Sequence, residues 1–373
     1  MPIALLFPRL LLLIALSALA WGVHARPPRL IGYVTNGTPA DSISVEKLDV
    51  INFAFGQVRT DGTVYLPNDT AAAHLHALVA RRADHPALRI LLSLGGWTAG
   101  NFSEAVATPA ARAQFVQSTL ETIARFDLDG IDIDWEYPGL GDAGISYSPD
   151  DRRNFTLLLE AMRIGLNEEG RKRARAYLLT LAVAEGRFAQ GLEFPRIAAA
   201  LDWINLMTYD FYGSLTATTG HQSGFTRSSL APADARTTVD AVQYFLGVGM
   251  PADKINIGVP FYGRHFGDVE PAHQGRFQPF ASEGGYIVWH QIVKTRLHAP
   301  GWERHWDAEA QVPFLWNPAE RRFIAYDDPQ SLAIKADYVK RNGLGGIMYW
   351  EHQLDLEDQL LDVLDHALHA PAQ

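Results

Sequence analysis

From residue 28 onward, short apolar or β-branched runs alternate with longer amphipathic stretches. The short runs fall at 30–35, 50–55, 89–94, 130–135, 177–184, 203–209, 255–261 and 346–350; the amphipathic stretches fall at 71–83, 111–126, 152–166, 234–248 and 331–341. This alternation predicts parallel strands joined by crossover helices. Eight strand candidates, mostly followed by helices, favour an α/β fold of the (β/α)8 TIM-barrel kind over an open doubly wound sheet. One interval breaks the rhythm. Between Phe261 and Gly346 lie about eighty residues, more than one βα unit needs. Its apolar positions, Tyr286, Ile287, Phe314, Leu315, Trp316, Phe323 and Ile324, read as further strands with turns. Residues 265–325 are therefore expected to form a small α+β insertion between strand 7 and strand 8 of a barrel covering 26–373.

The fourth run carries the candidate chemistry, Asp-Gly-Ile-Asp-Ile-Asp-Trp-Glu at 129–136. Side chains two apart share one face of a strand, so Asp132, Asp134 and Glu136 project together while Ile131, Ile133 and Trp135 face the helices. Acids on the inward face of a buried strand are costly unless paired or protonated. Their mutual repulsion raises at least one pKa, as a proton donor near neutral pH requires. Glu136 is the longest and stands nearest the C-terminal strand end, where barrels place their chemistry. It is the expected proton donor. A glycosidase with two catalytic carboxylates needs the second across the scissile bond. Asp134, on the same strand, is badly placed for that, which leaves room for the substrate's own acetamide oxygen to attack. The Asp-x-Asp-x-Glu pattern could instead hold Mg²⁺ or Mn²⁺, but no glycine-rich phosphate loop or His-Glu-x-x-His helix accompanies it.

Composition narrows the field. A formal charge of −10 gives no electrostatic case for nucleic acid or an anionic membrane. The chain has no cysteine, which rules out thiolate zinc sites and cysteine nucleophiles. At the N-terminus Arg9 precedes an apolar run at 10–21, followed by the small-residue sites Ala18-Leu19-Ala20 and Val23-His24-Ala25. This is the plan of a signal peptide over 1–25, too short to span a bilayer comfortably, and it predicts a secreted or periplasmic protein.

With these residues in view, the chain resembles glycoside hydrolase family 18, the chitinases. Asp129, Asp132, Asp134 and Glu136 fit the family's Asp-x-x-Asp-x-Asp-x-Glu signature, extended by Tyr137-Pro138. Ser93-Leu94-Gly95-Gly96-Trp97 fits its third-strand motif, Met207-Thr208-Tyr209-Asp210 the sixth, Pro260-Phe261-Tyr262-Gly263-Arg264 the seventh and Gly345-Gly346-Ile347-Met348-Tyr349-Trp350 the eighth. Matches run in order from Gly32-Tyr33 to Trp350.

The resemblance implies retaining, substrate-assisted hydrolysis of β-1,4-linked N-acetylglucosamine in chitin or chitooligosaccharides. In it Glu136 protonates the glycosidic oxygen, Asp134 takes the acetamide N–H, Asp132 tunes Asp134, and the Tyr209 hydroxyl restrains the acetamide oxygen. Asp210 would bind that sugar or its neighbour, Trp350 would floor the distorted sugar, Trp97 would stack on the leaving-group side, and Met207 would pack beneath the acetamide. Tyr33 and Ser93 would brace the acidic cluster, with Asp129 in support. Arg264 is open between a sugar contact and an ordinary salt bridge.

The expected protein is a monomer with no cofactor, no metal, no nucleic-acid partner and no membrane contact once the signal is cleaved. His221 is given no catalytic role. The same resemblance extends to hydrolases of N-glycan or peptidoglycan and to chitin-binding lectins, although lectins characteristically lose the acid that this chain keeps at Glu136. Two departures bear on the cleft. Val34-Thr35-Asn36-Gly37 stands where many members have a Trp, and Glu185 stands where the family often has a small or apolar residue.

Overall fold

The computed structural model describes residues 27–369, so the expected signal peptide lies outside the described residues. Eight parallel strands form the barrel: β1 Arg29–Thr35, β2 Val50–Val58, β3 Arg89–Gly95, β4 Gly130–Asp134, β5 Leu178–Val183, β6 Trp203–Leu206, β7 Ile255–Pro260 and β8 Gly346–Trp350. Each pairs with the next in the ring. β1 bonds on one side to β2 and on the other to β8, so the sheet closes and the open doubly wound alternative is excluded.

Helix boundaries follow capping chemistry more closely than hydrophobic period. The helix expected at 71–83 starts at Asp69, because the Asn68 side chain accepts the Ala71 N–H, and it tightens into a 3₁₀ turn after Ala80. The one expected at 234–248 starts at Thr238, where Thr237 caps it. The stretch expected at 152–166 forms a helix over Asp151–Arg173. Its apolar stripe ends at Leu166, but Arg171, Lys172 and Arg173 in the last turn suit the negative end of the helix dipole.

The insertion is a five-stranded antiparallel sheet built from Tyr262–Gly267, Ser282–Val288, Glu303–Asp307, Val312–Asn317 and Arg322–Ala325, with a helix at Trp289–Thr295. It begins at Tyr262 instead of 265. Phe261 still bonds the Trp350 carbonyl of β8, and the strand that carries Arg264 pairs onward with Ser282–Val288 and Arg322–Ala325.

Two faces of β4 divide the core. Ile131, Ile133 and Trp135 face the helices, where the Trp135 ring stacks on Phe102 at 5.4 Å and meets Phe155 edge-on at 5.2 Å. The barrel interior is polar at its centre: Asn52, Ser93, Asp132, Thr180, Asn205 and Asn256 are all fully buried.

Candidate active site

Register explains the site. In the parallel sheet Ser93 on β3 and Thr180 on β5 are the direct neighbours of Asp132 on β4, and partners in register point to the same face. The Asp132 carboxylate accepts from the Tyr33 hydroxyl at 2.8 Å, the Ser93 hydroxyl at 2.7 Å, the Thr180 hydroxyl at 2.5 Å and the Asn205 amide at 3.4 Å. These bonds oppose the rise in its pKa that burial causes. Asp134, one step up the same face, is buried with Oδ1 unpartnered. Burial first, then the neighbouring charges of Glu136 and Asp132, hold its pKa well above the usual carboxylate range. Donors thus surround the Asp132 carboxylate and leave Asp134 Oδ1 without one.

Glu136 follows at the mouth of the barrel. Its pKa is pushed up to about 7, chiefly by burial, against a lowering hydrogen bond of 2.9 Å from the Tyr137 hydroxyl. Tyr137 is held in turn by the Phe188 ring, 4.4 Å away between centroids. Gly95 permits the approach of β3 to this strand. Its φ is +125°, and a Cβ there would lie 2.0 Å from the Asp134 carbonyl oxygen.

Two strands further round the barrel, β6 ends at Leu206, short of the expected Tyr209. The Thr208 hydroxyl both donates to the Gly258 carbonyl and accepts the Gly258 N–H, replacing ladder bonds with a side-chain bridge. Tyr209 therefore projects from irregular backbone; burial, then the nearby Asp134, Glu136 and Asp210 charges, raise its phenol pKa. Met207 is buried in the same apolar patch as Tyr33, Met348 and Trp350. The Asp210 carboxylate accepts from Arg264 Nε at 2.7 Å, and Arg264 Nη1 reaches Glu283 at 3.4 Å. Arg264 is thus a salt-bridge partner of Asp210. The Trp350 ring stacks on Phe55 at 5.5 Å and tilts against Tyr33 at 5.6 Å. Trp97 is 48 % exposed just beyond β3.

One residue sits elsewhere than its motif suggests. Asp129 lies at the opposite, N-terminal end of β4, where it accepts from Arg82, Arg89, Arg175 and the Ile90 N–H. It clamps the barrel floor and does not touch the acidic cluster. Glu185 is buried beyond β5 and paired with Arg236 Nη1 at 2.9 Å. His221 has no place among the acids; its Nε2 meets Asp307 of the insertion at 3.0 Å, tying the two parts together.

Sequence reasoning gave no role to Phe55, Tyr137, Thr180, Asn205 and Tyr262, although Tyr137 and Tyr262 fall inside matched motifs. Strict alternation turns Phe55 outward, but a register shift between Ala54 and Gly56 turns it into the cleft. Tyr137 follows the end of β4, where alternation no longer applies. Thr180 and Asn205 were legible as polar residues at inward positions of apolar strands. Tyr262 packs edge-on to Tyr209 at 6.3 Å and to the 62 % exposed Tyr286 at 5.7 Å, forming an aromatic row onto the insertion.

Comparison with known proteins agrees with this geometry. The chain is 33% identical to Chitinase A1 of Niallia circulans over 90% of its own length and 36% identical to Chitotriosidase-1 of Mus musculus over 74%. It spans about half of the first relative (51%) and 60% of the second. Chitinase B of Serratia marcescens is 31% identical, with 90% of this chain and 79% of that protein covered. Among solved structures, a family 18 N-acetylglucosaminidase from Paenibacillus barengoltzii superposes with a TM-score of 0.85 at 36% identity, over 91% of this chain and 100% of that one. An Ostrinia furnacalis Group IV chitinase in complex with allosamidin superposes at 0.82 with 26% identity, over 91% of this chain and 98% of that one. The family model described as glycosyl hydrolases family 18 matches residues 29–355, and the chain belongs to that family.

Proposed function

We propose that the chain hydrolyses β-1,4-linked N-acetylglucosamine in chitin or chitooligosaccharides, with retention of anomeric configuration and with the substrate's acetamide as nucleophile. The arrangement of acids carries this reading. Asp134 ends β4, Glu136 lies two residues beyond it, and Asp210, the acid that follows β6, is engaged by Arg264 at 2.7 Å. No free carboxylate of the named site stands ready to attack from the opposite face, as a two-carboxylate retaining enzyme requires.

In the first step Glu136 gives its proton to the glycosidic oxygen as the C1–O bond breaks, and the acetamide carbonyl oxygen bonds to C1, leaving a cyclic oxazolinium. Asp134 accepts the acetamide N–H and offsets the positive charge, with Asp132 fixed beneath it by four donors. Tyr209 restrains the carbonyl oxygen, and Trp350 supports the sugar ring. In the second step Glu136, now a carboxylate, takes a proton from water as the water oxygen opens the oxazolinium at C1. Export rests on the N-terminal apolar run; among the described residues no helix is long and apolar enough to cross a membrane.

Product analysis with chitohexaose and anomer detection tests the proposal. β-Anomers released first, and loss of turnover in Glu136→Gln, are expected. α-Anomers first, or undiminished turnover in that variant, would overturn it. The whole-length likeness to an N-acetylglucosaminidase supports a second reading, release of single sugars from one chain end. Monomer as the sole early product favours that reading, and mixed short oligomers favour internal cleavage.

A further inference from the structure

Glu185, the acid standing where the family often has a small or apolar residue, has a partner with a second job. Arg236 precedes the helix Thr238–Gly247 and donates from Nη1 to Glu185 Oε1 at 2.9 Å. From Nη2 it donates to two successive backbone carbonyls, Asp210 at 3.2 Å and Phe211 at 3.1 Å. Asp210 has φ of +54°, in the left-handed region that residues other than glycine rarely occupy, so its peptide direction depends on what its neighbours bond.

The guanidinium also lies over the Phe211 ring at 5.1 Å and the Phe188 ring at 5.8 Å. Phe188 is the ring that holds Tyr137, and Tyr137 bonds Glu136. One side chain thus touches both the backbone beneath Asp210 and the wall behind the proton donor.

We infer that Arg236, anchored by Glu185, is a positioning residue for Asp210: Arg236 fixes its backbone while Arg264 fixes its carboxylate. The inference rests on the sugar-cleaving reading above. Glu185 needs Arg236, because a buried carboxylate without a partner is costly. Arg236 needs Glu185, because two carbonyls leave its charge uncompensated. Together the pair sets the affinity for the sugar unit that Asp210 contacts. A salt bridge that merely joined the loops after β5 and β6 would change stability and leave sugar affinity alone.

Chitohexaose binding, followed by titration calorimetry in the uncleaving Glu136→Gln background, separates the two. Arg236→Met should weaken binding about tenfold, the equivalent of one positioned polar contact. If it acts through Asp210, the same change made on top of Asp210→Ala should move Kd by less than about twofold. Glu185→Gln, which keeps volume and an acceptor oxygen, should give a smaller weakening in the same direction, and it carries the comparison if Arg236→Met does not fold. An unmoved Kd, or a full tenfold loss that persists without the Asp210 carboxylate, overturns the inference. Absence of both chitohexaose cleavage by the parent chain and binding by Glu136→Gln removes the functional reading itself, an outcome distinct from an unmoved Kd.

Discussion

The Tyr137 hydroxyl donates a 2.9 Å hydrogen bond to the carboxylate of Glu136, the residue immediately before it in the chain. A bond to the charged form favours that form, so Tyr137 holds the Glu136 pKa below the level that burial alone would set, and the balance lies at about 7. As the proposed proton donor, Glu136 must start each cycle protonated, so kcat/KM should fall as pH rises through about 7. Tyr137→Phe removes the lowering bond. The alkaline limb of the pH–kcat/KM profile should then move up by about one pH unit, the equivalent of ~1.4 kcal/mol of charge-assisted hydrogen bonding. A limb that stays put or moves down would show that Tyr137 does not set this acid. Asp134 shares the cluster, so the limb reports the pair as a macroscopic titration.

Donors from four other barrel strands converge on the Asp132 carboxylate, and two of them, Tyr33 on β1 and Ser93 on β3, both reach Oδ2, at 2.8 and 2.7 Å. Removing either donor lets the Asp132 pKa rise further and disfavours its charged form beneath Asp134. Tyr33→Phe and Ser93→Ala should each lower kcat about tenfold, as expected for loss of one hydrogen bond to a charged group. The double variant leaves Oδ2 without either donor, so its loss should exceed the product of the two single losses. Steady-state kinetics on the three proteins decides the matter, and strictly multiplicative losses would mean that the donors act independently.

Lys335 and Asp327 form an ion pair with no exposure on either side, at 2.7 Å. The ammonium also donates to the Ser223 carbonyl and hydroxyl, and that hydroxyl donates to the Thr208 carbonyl beside Tyr209. Breaking one side of a buried pair leaves the other uncompensated. Lys335→Met should therefore destabilise the fold by about 3–5 kcal/mol in denaturant unfolding. Adding Asp327→Asn removes the stranded charge and should recover part of that loss. No recovery would place the cost in packing instead of charge.

The barrel and the acidic strand were legible because both are written in simple periods. Eight apolar runs marked the strands, and two-residue spacing put Asp132, Asp134 and Glu136 on one face. Features that depend on broken periods were not legible. The register shift at Ala54 and Gly56 brings Phe55 under Trp350, and the early end of β6 at Leu206 puts Tyr209 on irregular backbone. Asp129 shows the opposite failure. It belongs to the same sequence signature as Glu136, yet a strand has two ends, and the arginines at the barrel floor claim it. Arg236 was invisible for a third reason: its partner Glu185 comes from the loop after β5, and its partners Asp210 and Phe211 lie at the far end of its own long loop after β6, contacts that only the folded barrel brings together.

The site also carries a stability cost whose pH dependence can be worked out for Glu136. Its carboxyl has a folded pKa of about 7, above the 4.5 usual for a glutamate. A carboxyl raised in this way favours the fold while it is protonated. Its contribution is fully present below the unfolded value near 4.5 and is lost as pH rises through the folded value near 7. Glu136→Gln stays neutral at every pH, so it should gain stability relative to the parent across that window. The gain should be small at pH 4 and level off above pH 8, with a ceiling of roughly 3 kcal/mol at one pKa unit per 1.36 kcal/mol, reduced by the partial exposure of Glu136 to solvent at the barrel mouth. Urea unfolding of both proteins at several pH values measures it. A difference that does not grow with pH would mean that the acid is not raised in the folded protein, and the proton donor would then have to be held ready by contact with substrate alone.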